Sequence, residues 1–152
     1  MLVRNGLLFI GLAIISSTAL ADIQVDLQRG ITHTDPCSQI AGNWQGNGDI
    51  SYGYFVQCHY SGTAVVTSSS SSAFTFKAKL KKNSGMVCPA EEDIVLPGTC
   101  RNGVLNLQTT QANLKGAFGS GGKSADLTGT VTVPMDGEMV VVNVDRMHMA
   151  KV

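Results

Sequence analysis

Apolar and polar side chains alternate along most of the chain from Gly42 onward. The period is clearest in residues 125–133 (ADLTGTVTV) and 74–80 (FTFKAKL), where one buried and one solvated face of an antiparallel sheet require that alternation. Leu105 and Leu107 repeat it, as do Leu114, Gly116 and Phe118, and residues 139–144 form an almost continuous β-branched run that could be covered on both faces. The pattern predicts strands over 42–46, 50–59, 62–68, 73–81, 93–96, 103–108, 113–118, 125–133 and 138–150, and no helix longer than a turn. Many short strands in sequence leave two open edges, which closure removes. The predicted fold is therefore all-β, an antiparallel up-and-down barrel of about eight strands with two disulfides; a two-sheet β-sandwich is the alternative.

Turn chemistry falls between these runs. Asn47-Gly48, Asn102-Gly103 and Asp136-Gly137 tolerate positive φ at both central positions of a type I′ hairpin, and each predicts an antiparallel pair. Ser61-Gly62, the run from Ser68 to Ser72, Asn83-Ser84-Gly85 and Gly119-Ser120-Gly121-Gly122 read as looser joints.

Arg4, an apolar run from Leu7 to Ile15 and the small-residue site Ala19-Leu20-Ala21 have the layout of a cleavable export signal. The apolar run is far short of the roughly 20 residues that cross a bilayer. The expected organisation is a cleaved signal peptide over 1–21, an N-terminal arm over 22–36 and a single domain over 37–152. The product should be periplasmic or secreted, without membrane insertion after cleavage. With 11 Lys+Arg against 11 Asp+Glu the chain has no long-range field to steer it to nucleic acid or anionic lipid.

Four cysteines allow three pairings. A two-residue loop at Asn47-Gly48 would set Cys37 opposite Cys58, and Cys88 and Cys100 would close a short loop. The expectation is therefore Cys37–Cys58 and Cys88–Cys100. No CxxC or histidine at ligand spacing suggests a metal or redox site, and no cofactor is expected.

His33, His59 and His148 are widely separated and read as solvated or hydrogen-bonded residues. The stretch GSGGKS at 119–124 lacks the phosphate-loop spacing and leads into a strand, where a phosphate loop needs a helix. Glu91, Glu92 and Asp93 read as a solvated acidic patch, and Lys77, Lys79 and Lys81 as the wet face of a strand that could form half of a contact surface with it. Trp44, Tyr52, Tyr54, Phe55 and Tyr60 form an aromatic group suited to a ligand pocket, or to a core or barrel-end plug. No catalytic constellation is present in the sequence, and we read no enzyme.

Gly42-Asn43-Trp44 resembles the GxW signature of lipocalin-like barrels. Residues 37–44 (CSQIAGNW) are similar in layout to the start of avidin-type (calycin) barrels and of small bacterial protease-inhibitor barrels. The resemblance covers 37–152 and is one of architecture. It implies that a basic residue of the last strand packs across Trp44 to close the barrel, and Arg146 is the candidate. Trp44, Tyr52, Tyr54, Phe74, Phe76, Phe118 and Arg146 are then expected to line or close the barrel.

The expected function is that of an exported binding protein, carrying a small apolar ligand in the barrel or a protein partner at its loops. Two further readings are a secreted or periplasmic hydrolase inhibitor (protease or lysozyme type), acting through 22–36 or 88–100, and a structural or host-interaction surface protein. An apolar interior of about 300 Å³ or more favours the small ligand, and a filled barrel favours a protein partner.

Overall fold

The computed structural model describes residues 35–152, so the leader over 1–21 and nearly all of the 22–36 arm lie outside the described residues. A short 3₁₀ turn, η1 (Pro36–Gln39), precedes eight strands: β1 (Gly42–Tyr52), β2 (Val56–Ser68), β3 (Ala73–Ser84), β4 (Glu91–Arg101), β5 (Val104–Gln108), β6 (Ala112–Phe118), β7 (Ser124–Met135) and β8 (Glu138–Lys151). A second 3₁₀ turn, η2 (Ser120–Gly122), joins β6 to β7. The strands pair antiparallel in chain order, and β1 pairs with β8 to close the barrel, which excludes the sandwich.

Two of the three predicted type I′ turns form. Asn102-Gly103 joins β4 to β5 and Asp136-Gly137 joins β7 to β8, with positive φ at all four residues. Asn47-Gly48 does not turn: it lies inside β1, facing Ser61 and Tyr60 of β2, and the chain reverses instead at 53–55. Ser61-Gly62 is likewise internal, so the predicted segments 42–46, 50–59 and 62–68 are two long strands. The glycines there serve close approach. A Cβ at Gly46 would stand 2.0 Å from the His148 carbonyl oxygen, and one at Gly62, directly opposite, 2.3 Å from that of Lys79. Paired glycines let the sheet bend sharply at a barrel corner.

The disulfides differ from the sequence expectation for the same reason. With no hairpin at Asn47-Gly48, Cys58 faces Ile50, and the bonds are Cys37–Cys100 and Cys58–Cys88. The first ties η1 to the end of β4; the second ties β2 to the loop between β3 and β4. Two disulfides are consistent with an extracytoplasmic protein, and among the described residues no helix is long and apolar enough to cross a membrane.

The inward side chains fill the barrel. One cluster packs around Trp44, Phe74, Phe76, Leu107 and Leu114, and a second around Tyr60, Val133, Val142 and the Cys58–Cys88 bond. The loops fall into two groups: η1 and the β2–β3, β4–β5 and β6–β7 connections at one end, the β1–β2, β3–β4, β5–β6 and β7–β8 connections at the other.

Candidate functional site

The end that carries η1 is sealed. Trp44 is buried, its indole Nε1–H donates to the Ile40 carbonyl at 2.9 Å, and its ring lies 6.0 Å from that of half-buried Phe118. A basic residue of β8 does approach Trp44, but it is Lys151, with Nζ 6.0 Å from the ring centroid. Arg146 sits opposite Asp49, five residues away along the strand, and is exposed. The displacement follows from register: β8 pairs Lys151 with Trp44. Of the other expected lining residues, Phe74 and Phe76 are buried inside, whereas Tyr52 and Tyr54 are exposed beyond the barrel wall.

Little interior space remains. One cavity, of about 60 Å³, lies among Tyr60, Phe76, Leu80, Ile94, Leu114 and Val133, and another, of about 30 Å³, beside Trp44 and Phe118. Each holds a few waters' worth of volume at most, far from the several hundred Å³ that small-molecule sites occupy. Glu92 borders the larger cavity. Burial, and after it the charge of Glu92, pushes the Tyr60 phenol above its ordinary pKa of 10.0.

The opposite end presents apolar side chains to solvent. At the β1–β2 tip Tyr54 is 99% exposed and Phe55 96%, with Tyr52 beside them; in the β3–β4 loop Met86 is 81% exposed, next to Val87. Single exposed apolar residues are ordinary, but large ones gathered at one end of a small domain are not. The β3–β4 loop is also held firmly. Besides the Cys58–Cys88 bond, the Tyr60 hydroxyl donates to the Pro89 carbonyl at 2.7 Å and Lys82 Nζ to the Cys88 carbonyl at 2.6 Å. Val87 has φ of 76°, a left-handed conformation that a β-branched residue adopts only at a cost. Met86 and Val87 escaped the sequence reading, although two apolar residues between Gly85 and Cys88-Pro89 are the available signal.

The charged clusters are not independent patches. Register sets Lys79 opposite Asp93 and Lys81 opposite Glu91, so each offsets the other across the strand pair. His59 Nδ1 lies 2.6 Å from Asp49 Oδ1 and His148 Nδ1 2.8 Å from Asp126 Oδ1, both on the outer face; His33 lies outside the described residues. Among the described residues no group of three or more metal-ligating side chains converges. Comparison with known protein families, curated proteins and solved structures finds no match.

Proposed function

We propose that this chain is an exported binding protein that engages a protein partner through the loop end carrying Tyr54, Phe55, Met86 and Val87. The observation that supports the reading best is a contrast: the barrel interior offers cavities of about 60 and about 30 Å³, while Tyr54 and Phe55 project almost wholly into water. Aromatic side chains have few rotatable bonds, and Met86 and Val87 beside them sit on a clamped loop, so this end loses little conformational entropy on binding, which is what an interface anchor requires. Between the two readings of a ligand carrier and an interaction barrel, a filled core favours the second.

A protruding tip suits a concave partner surface, and the cleft of a hydrolase is one such surface. At the same end of the barrel Glu91, Glu92, Asp93, Asp136 and Glu138 outnumber Lys79, Lys81 and Lys82, so a cleft with a cationic border is the better electrostatic match. This is the inhibitor reading, with the loop end in place of the N-terminal arm and with only Cys88 to Asp93 kept from the 88–100 segment.

The test compares partner retention by immobilised wild-type protein and by Tyr54→Ser, Phe55→Ser and Met86→Ser variants, using the exported fraction of the native source. Loss of at least one of these anchors should cost about 2 kcal/mol or more of binding. Wall substitutions such as Thr63→Ala should cost nothing. Equal retention by all variants would refute the loop assignment.

A further inference from the structure

We infer that the outer edge of β4, in the barrel wall beside the loop end proposed above, is a strand-addition site for an extended segment of a protein partner. The barrel closes unevenly. β4 is 11 residues long, yet β5 pairs with only Thr99, Cys100 and Arg101. On the far side of the same opening, β6 leaves β7 after Val131, apart from one bond from the Thr132 N–H to the Gln111 carbonyl. A gap in the wall results, bordered by the first part of β4, the β5–β6 turn and the last part of β7.

Hydrogen-bond parity tells which groups face that gap. Cys100 N–H bonds the Ser72 carbonyl and Lys82 N–H bonds that of Ala90, so the even-numbered residues of β4 exchange hydrogen bonds with β3. The odd-numbered ones point away from β3. Thr99 and Arg101 meet β5, but among the described residues Glu91, Asp93, Val95 and Pro97 have no strand opposite them on that side. Pro97 needs no N–H there. The same holds across the gap, where Thr132 sets the even-numbered residues toward β6 and Pro134 is next in that series. Two of the four prolines thus occupy gap-facing positions, where an edge strand tolerates them and where they limit added pairing to Glu91, Asp93 and Val95.

The gap is also a cavity of about 180 Å³. Ile94, Leu96, Val131 and Val133 line it within, and Val95 (61% exposed) and Met139 border it outside. Unpaired main-chain groups beside an apolar slot fit an extended peptide, whose backbone pairs with the edge and whose alternate side chains enter the slot. Glu92 and Asp93 line the same cavity; Lys79 and Lys81 of β3 offset Asp93 and Glu91, but Glu92 faces Leu80, so the acidic excess falls at Glu92 and the occupant carries basic residues between its apolar ones.

The probe is a fluorescein-labelled hexapeptide amide of alternating lysine and valine, titrated with the full barrel and followed by anisotropy. Three results are expected. Binding weakens about tenfold or more when glutamate replaces lysine in the peptide. It weakens similarly when one alternate set of peptide amides is N-methylated, while methylation of the other set is tolerated. Val95→Pro abolishes it with unchanged far-ultraviolet circular dichroism, because the Val95 N–H takes no part in pairing with β3. Glu91→Lys with Asp93→Lys should turn the preference toward the glutamate peptide. No saturable binding of the lysine peptide, equal tolerance of both methylated sets, or full binding by a folded Val95→Pro variant would each overturn the inference.

Discussion

Lys151 Nζ lies 6.0 Å from the centroid of the Trp44 ring and donates to the Gln39 carbonyl at 2.6 Å, so one ammonium links the last strand, the first strand and the turn that caps them. The contact exists only because β1 and β8 are neighbours, and it places closure and capping in the same few atoms. Lys151→Met should shift the emission of Trp44, the chain's one tryptophan, and lower stability by about 0.5–2 kcal/mol. A double-mutant cycle with Trp44→Phe should show coupling above about 0.5 kcal/mol. Arg146→Ala should do neither. Coupling through Arg146 instead would place β8 in a different register.

Peptide mapping without reduction should recover Cys37 joined to Cys100 and Cys58 joined to Cys88, with no free thiol. Replacing both Cys58 and Cys88 with alanine should cost about 3–4 kcal/mol, as restriction of the unfolded chain predicts for a separation of 30 residues. The same change should free Met86 and Val87 and so weaken partner binding beyond the stability effect. A reduced-loop variant that binds at full strength would show that the clamp has no part in recognition.

Two glycines separate steric need from conformational need. Gly129 has φ of +146°, and a Cβ there would stand 2.0 Å from the Asn113 carbonyl oxygen; Gly53 has φ of +59° with nothing within 4 Å. Gly53→Ala should cost about 1–2 kcal/mol from backbone strain alone. Gly129→Ala should cost about 3 kcal/mol or more, because β6 must move as well. Equal denaturation midpoints for the two variants would contradict the close β6–β7 approach.

Tyr60 gives the fold an alkaline limit. Its pKa is raised, first by burial and then by Glu92, so folding favours the neutral phenol. That contribution is fully present below pH 10 and is lost as pH rises through the raised folded value. Tyr60→Phe, which lacks the hydrogen bond to Pro89, should be about 1 kcal/mol less stable near neutrality. Its stability should then fall less steeply than wild type above pH 10. Parallel alkaline declines in urea titrations would assign the effect to other groups.

Much of the barrel was legible from period-two alternation, because inward and outward positions of a closed sheet differ sharply in polarity. The turns Asn102-Gly103 and Asp136-Gly137 were legible from local chemistry, while Asn47-Gly48 was not, since an Asn-Gly pair also fits a strand that β8 must approach closely. Whether such a glycine turns or packs depends on residues a hundred positions away. The cystine pairing failed with that turn. Trp44 lies at the end that η1 caps, and its cationic partner depends on β8 register, which a single sequence leaves open. Tyr54 and Phe55 read as pocket or plug because aromatic residues are usually buried; their exposure is set by where the β1–β2 reversal falls.

The most direct measurement of the central claim places a photo-crosslinking benzoylphenylalanine at position 55 in one protein and at wall position 63 in another. Both are expressed in the native source, irradiated in place and weighed intact by denaturing and native mass spectrometry. A polypeptide adduct from position 55 but not from position 63, with no small molecule retained by the uncrosslinked barrel, is the predicted result. A barrel that carries a small apolar molecule in the native spectrum, with no polypeptide adduct at position 55, would contradict it.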